Sequence, residues 1–296
     1  MVMHSASRQA PVAIAFMVAA SALLAATSLM AKILGLPSET DTGIHSMQQS
    51  AGRFVFAFIA LCLFLLIRPK VRPNFIGTNW PRHIVRTALA WTSATLVFAA
   101  VSNMPVAEAT AISFLSPVVS MVLSVFVLRE TLWPHRIIAA VLALLGAVLI
   151  LRPGSDAFQL AGLYALGSAV SIGLETMYIK RLSDTEPPLR ILFIVNFLGT
   201  ILSVTVASFI WIWPTPNQWA MLALLGATML CAQACFIQSM KRGDASFVTP
   251  VFYTVLVFAA FYDLLLFGVM PTQLSFIGGV LILSAALVLA ICGQRR

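Results

Sequence analysis

Four polar residues, Ser168, Ser171, Glu175 and Tyr178, recur at spacings of three, four and three within an otherwise apolar stretch. On a helix these spacings place all four on one face. A carboxylate flanked by hydroxyls can take up a proton, hold a cationic group or hydrogen-bond a polar solute. An acid in the middle of a membrane helix costs about 2.5–3.5 kcal/mol on insertion scales, so its presence calls for a partner or a function. Glu175 is therefore expected to line a cavity. A reach to water at the span end, or a pair with Lys180, is the structural alternative.

Thr249, Tyr253 and Asp263 share a second helical face through Leu256 and Ala260. Asp263 is a second candidate beside Glu175 for proton coupling, with snorkelling to the membrane interface as its rival. Trp91 and Thr95 lie on one side of a third apolar stretch, and Gln233 sits midway along a fourth. An aromatic ring beside hydrogen-bonding groups suits a flat or zwitterionic solute. Packing for Trp91, and interhelical hydrogen bonding worth about 0.6 kcal/mol for Gln233, are the structural readings. Glu108 and Asp244 each fall near the start of a helix, where a carboxylate complements the helix dipole. Arg53 reads as an anchor at the outer interface. The acids within the spans argue against a solely anionic solute, because carboxylates repel anions in a low dielectric.

Two short segments nearly copy each other: Ser113-Phe114-Leu115-Ser116-Pro117 and Ser246-Phe247-Val248-Thr249-Pro250. Each proline lies in an apolar run, where it deletes a helical hydrogen bond and clashes with the preceding turn. In both copies a serine stands four residues earlier, at the carbonyl that loses its partner. Such a break is tolerated in a membrane where other groups or water satisfy the freed backbone. Its occurrence in both halves points to a binding site between two repeats. The expected cavity is lined by Trp91, Thr95, Ser113, Phe114, Pro117, Ser168, Ser171, Glu175, Tyr178, Gln233, Ser246, Pro250 and Tyr253.

These residues must be carried by membrane helices. The 296 residues are 60% hydrophobic and 9% charged, with a mean hydropathy of +0.97. A soluble domain has about 25% charged residues, so the solvent here is lipid. Apolar runs recur ten times, at about 11–33, 49–67, 83–102, 106–128, 134–151, 158–180, 190–212, 217–239, 246–268 and 273–292, each able to cross the hydrocarbon core. The first run is nearer a full span than a signal-peptide core and reads as a retained helix. With both termini cytoplasmic, every Lys and Arg except Lys32, Arg53 and Arg152 falls on the inner side, as the positive-inside rule requires. The net charge of +8 is thus spread over short inner loops and does not form a nucleic-acid face.

The pattern predicts an all-α integral membrane protein of ten transmembrane helices in two five-helix repeats, residues 1–154 and 155–296. Five spans per repeat is an odd number, so the second repeat is inverted. Ile138-Ala139-Ala140-Val141-Leu142 parallels Ile277-Gly278-Gly279-Val280-Leu281, and Arg53-Phe54 parallels Arg190-Ile191.

The chain resembles the drug/metabolite transporter superfamily, specifically its EamA-type family. In the first half the resemblance rests on Met104-Pro105-Val106-Ala107-Glu108-Ala109, Phe114-Leu115-Ser116-Pro117, Leu128-Arg129-Glu130 and Leu151-Arg152-Pro153-Gly154. In the second it rests on Pro250, Tyr253-Thr254, Val257-Phe258-Ala259-Ala260, Phe267-Gly268 and Pro271. Val269 stands where the family often has a glutamate, so no role for that acid carries over. The resemblance implies a secondary transporter of the inner membrane with its substrate cavity between the halves. Relatives of this style carry amino acids, S-adenosylmethionine or riboflavin.

Rival classes leave other signatures. No GxxxxGK[ST] phosphate loop is present to drive transport directly with ATP. His4, His45, His83 and His135 are scattered and no paired-acid motif exists, so an enzyme site is not expected. Cys231 and Cys235 share a helix face without a completing His, Asp or Cys, so neither a metal nor any other cofactor is expected. The expected partners are a small-molecule solute and the lipid bilayer, without nucleic acid. A passive channel or a broad-specificity drug efflux protein is the alternative function, and homodimer formation is left open.

Overall fold

The computed structural model describes residues 6–37, 42–113, 160–183, 185–242, 254–268 and 272–281, with single positions between and beyond these segments. Eight helices are bounded within them: α1 (Ala6–Gly35), α2 (Ser46–Ile67), α3 (Trp80–Asn103), α4 (Val106–Ser113), α5 (Leu160–Ser183), α6 (Pro188–Ala207), α7 (Pro216–Arg242) and α8 (Thr254–Phe267). Residues 273–281 are also helical, and no strand occurs among the described residues.

Local chemistry sets several helix ends. The Asn79 side chain accepts the Arg82 N–H and caps α3, and Pro81 fits the first turn, where its missing N–H is not needed. The same helix stops at Met104, whose φ of −149° and ψ of 167° are extended. Pro105 enforces this, because a residue before proline is pushed out of the helical region. Pro188 opens α6 in the same way that Pro81 suits α3.

Among the described residues, six helices are long and apolar enough to cross a membrane: Pro11–Gly35, Ser46–Ile67, Trp80–Asn103, Leu160–Ile179, Pro188–Ile210 and Pro216–Ser239. Thr254–Phe267 is a shorter apolar helix. Most of the expected fifth span and half of the tenth lie outside the described residues. Large apolar side chains occur both in the interior and on the outer surface, unlike in a soluble protein. Ala13, Ala20, Ala57, Ala100, Ala165 and Ala232 are fully buried, whereas Ile67, Leu66, Phe209 and Leu265 are exposed. Small residues inside and large apolar ones outside are what helix packing in lipid requires. Hydroxyls on the exposed faces bond back to their own helices, as Thr176 does to the Ile172 carbonyl and Thr205 to that of Ile201, both at 2.8 Å. The chain is a multi-pass membrane protein.

The packing mixes the two halves of the sequence. Helix α1 lies against α7 and α8, α2 against α6 and α7, and α3 against α5 and α6. Along the expected fourth span, Phe114 and Pro117 lie outside the described residues. Helix α4 ends at Ser113, Leu115 is a turn residue whose N–H bonds Ile112 at 3.0 Å, and helical backbone resumes at Ser116. The break presses on α5 at Gly173, where a Cβ would stand 2.7 Å from Val119 Cγ1 and 3.1 Å from the Ser116 carbonyl oxygen.

Candidate solute-binding site

A single hydrogen bond sets the register of α3 against α5: Ser168 Oγ donates to the Ser93 carbonyl at 3.0 Å. Seven residues onward along α5 is Glu175, and seven residues back along α3 is Arg86. In antiparallel helices both displacements are about 10 Å in the same direction, so the two charges arrive at one level. Arg86 Nε lies 3.7 Å from Glu175 Oε1, an ion pair looser than a hydrogen bond. The same guanidinium donates from NH1 to the Ile191 carbonyl of α6 at 3.3 Å, and its Nε has no hydrogen-bond acceptor.

A second register bond joins α2 to α3, with Ser50 Oγ and Thr95 Oγ1 2.8 Å apart. Arg53 follows Ser50 by three residues and shares its face. Arg53 is only 6% exposed and its guanidinium carbon stands 4.6 Å from the centre of the Phe54 ring. It interacts electrostatically with both Glu175 and Arg86, but forms no hydrogen bond or ion pair among the described residues. Thr87 Oγ1 and Trp91 Nε1, also on α3, are buried without hydrogen-bond partners. Trp91 packs beside Phe54, Ala90 and Val195.

Two expectations are corrected here. Arg53 is not an interfacial anchor, because the Ser50–Thr95 bond draws that face of α2 against α3. The local charge balance is also the reverse of an acid excess, since two buried arginines surround one glutamate. Arg86, assigned by loop counting to the inner side, lies inside α3 and is 8% exposed.

The remaining expected residues are distributed as follows. Ser168 and Ser171 are buried and Tyr178 is half-buried one turn beyond Glu175. Thr95 is held by Ser50. Ser113 is buried and donates to its own helix at the Ala109 carbonyl, 2.9 Å away. Gln233 lies on α7 on the face of Gly226 and Leu230, turned to α2, and its Oε1 finds no hydrogen-bond partner. Asp263 belongs to a different group. It is 2% exposed and accepts Lys32 Nζ at 2.9 Å, with the Phe267 ring 4.2 Å from the ammonium. Phe114, Pro117, Ser246, Pro250 and Tyr253 lie outside the described residues. Glu108, expected at the dipole of the fourth helix, accepts a short hydrogen bond from Ser275 Oγ.

A further cluster was not anticipated. Glu186, between α5 and α6, accepts the Asn79 N–H and meets His83 Nε2, both at 3.0 Å, with Arg190 NH1 at 3.7 Å. Burial pushes the Glu186 carboxyl up, but the Asn79 N–H, His83 and Arg190 together outweigh it and leave it below its ordinary value of 4.5. In the sequence Glu186 looks like one of several loop charges. The available signal was the Asn79 cap with His83 four residues on, which aims an imidazole at whatever docks on that helix start. Among the described residues no group of three or more His, Cys, Asp or Glu side chains could hold a metal ion.

Buried charges from distant parts of the sequence, gathered between the ends of lipid-facing helices, define the class of polytopic solute transporters. The particular family follows from comparison: the chain belongs to the EamA-like transporter family, matching it twice, over residues 11–152 and 159–291. It is 28% identical over 263 residues to the S-adenosylmethionine uptake transporter of Rickettsia bellii, covering 88% of this chain and 87% of that one. It is 26% identical over 252 residues to the riboflavin transporter of Vibrio cholerae, covering 83% of each chain. It is 25% identical over 240 residues to the pseudopaline exporter CntI of Pseudomonas aeruginosa, covering 80% of this chain and 84% of that one. A chain of known crystal structure shares the fold with a TM-score of 0.65 at 18% identity, covering 97% of this chain and 98% of that one. The protein is a transporter of small metabolites and not an enzyme.

Proposed function

We propose that this protein is a secondary active transporter that carries a small polar metabolite across the cytoplasmic membrane by alternating access. In this reading ten spans form two inverted five-helix repeats, residues 1–154 and 155–296, with both termini in the cytoplasm. The solute is of the amino-acid, S-adenosylmethionine or riboflavin kind, as the names of its relatives suggest. Glu175, with Ser168, Ser171 and Tyr178 along α5, faces the solute together with Trp91 and Thr95 of α3. Phe114, Pro117, Ser246, Pro250 and Tyr253 are placed at the same cavity by the two proline-bearing copies, with Ser113 beside the first and Gln233 at its edge.

One observation carries this reading. Arg86 of the first half pairs with Glu175 of the second, and buried Arg53 lies within electrostatic reach of both. Two other inter-half ties lie toward opposite ends of the bundle: Lys32 near the end of α1 with Asp263, and His83 near the start of α3 with Glu186. Alternating access needs a central site and a closable contact on each side of it. Breaking one tie while keeping the other opens the site to one side only. Glu175, once separated from Arg86, couples solute movement to a proton; Asp263, once separated from Lys32, is the second carboxylate available for that task.

The test is counterflow in liposomes containing the purified protein, preloaded in turn with amino acids, S-adenosylmethionine and riboflavin. Saturable exchange of one solute supports the proposal. Unsaturable conductance would replace it with a passive channel.

A further inference from the structure

The charge count at the centre is unbalanced. Buried Arg53 and Arg86 contribute two positive charges and half-buried Glu175 one negative charge, and among the described residues Glu175 forms an ion pair with Arg86. Arg86 Nε is a buried donor without an acceptor, and Arg53, over an aromatic ring, has no hydrogen bond or ion pair among the described residues. A buried guanidinium without an acceptor is costly, because desolvation is not repaid by a partner. Its planar fork matches a carboxylate in shape as well as in charge. The register of the helices places Arg53 about 9 Å from Arg86 along α3, with Thr87 Oγ1 and Trp91 Nε1 as buried, unpartnered donors on the intervening turns.

We propose that Arg53 and Arg86 form a carboxylate-binding subsite for the transported solute. This deepens the transporter reading above and rests on it for the word transported. The substrate carboxylate binds at Arg53 and draws Arg86 from Glu175. The released Glu175 is then free to receive a cationic end where the solute has one, and the Trp91 ring bounds the space between. A solute with both charges satisfies all three side chains at once. A solute without a carboxylate leaves Arg53 unanswered. Discrimination is therefore expected at the carboxylate, since a site built around a buried charged group rejects an analogue that lacks the matching one.

The experiment compares methionine and S-adenosylmethionine with methionine amide, in which a neutral carboxamide replaces the carboxylate. Equilibrium binding to the purified wild-type protein is measured first and needs no substitution. Binding of at least one carboxylate probe, with the amide at least about tenfold weaker, supports the subsite. Equal binding of acid and amide, or no binding of either acid, overturns it. Arg53→Gln is expected to weaken the carboxylate probe about tenfold or more and Arg53→Lys to retain part of the affinity, by the geometry of the lost fork. An Arg53→Gln protein that keeps its thermal midpoint and its affinity overturns the assignment of Arg53. The two proposals fail separately. Riboflavin counterflow without carboxylate binding sinks the subsite and leaves the transporter. Carboxylate binding without counterflow sinks alternating access and leaves the subsite.

Discussion

Lys32 and Asp263, 231 residues apart in sequence, meet in a buried ion pair of 2.9 Å that ties α1 to α8. Removing one partner takes the paired opposite charge away from the other. Asp263→Asn or Lys32→Met is expected to cost about 3–5 kcal/mol, read as a lowered midpoint in thermal unfolding of the detergent-purified protein. The double variant Lys32→Met with Asp263→Leu should recover most of that loss. A double variant whose loss equals the sum of the two single losses would show that the pair carries no coupling.

Glu186 gives an expectation for pH. Its folded carboxyl titrates below 4.5 because the Asn79 N–H, His83 and Arg190 outweigh the burial that opposes them. The unfolded state therefore holds the proton more tightly, and the stabilisation is complete above about 4.5 and lost as the pH falls through the lower folded value. Thermal midpoints of the wild type should drop across that acidic window. Those of Glu186→Gln should start lower at neutral pH and change less over the same interval.

Glu175→Gln should abolish uptake driven by a pH gradient in vesicles while the protein still folds. Glutamine keeps the hydrogen-bonding shape and loses the exchangeable proton and the charge that meets Arg86. Unchanged gradient-driven uptake would remove Glu175 from the coupling step.

Gly173 offers a steric test of the broken fourth span. Gly173→Val forces a side chain against Val119 and the Ser116 carbonyl. Overpacking of this kind is expected to cost about 1–3 kcal/mol, measured as a fall in the unfolding midpoint. A midpoint equal to the wild type would mean that the segment after Ser113 gives way freely.

Much of the framework is legible in the sequence because each signal is local. Apolar run length defines the spans, and Pro105 dictates where α3 must stop. The spacing of Ser168, Ser171, Glu175 and Tyr178 defines a single polar face, since that depends on one helix alone. The partners of that face are not legible. Arg86 reaches Glu175 only through a register fixed by the Ser168–Ser93 bond, between residues that periodicity treats separately. Counting loop charges assigned Lys32, Arg53 and Arg86 to membrane sides by their distance from span ends. That rule sees position along the chain and is blind to the neighbouring helix that buries each of them.

The Ser168–Ser93 bond also acts as a fulcrum. Glu175 lies at the tip of a lever about 10 Å long measured from it, so a tilt of α5 by about 10° swings the carboxylate by about 2 Å. An attraction spanning 3.7 Å does not survive such a swing without rearrangement. A small angular movement between the helices would thus be enough to unlatch the central charges.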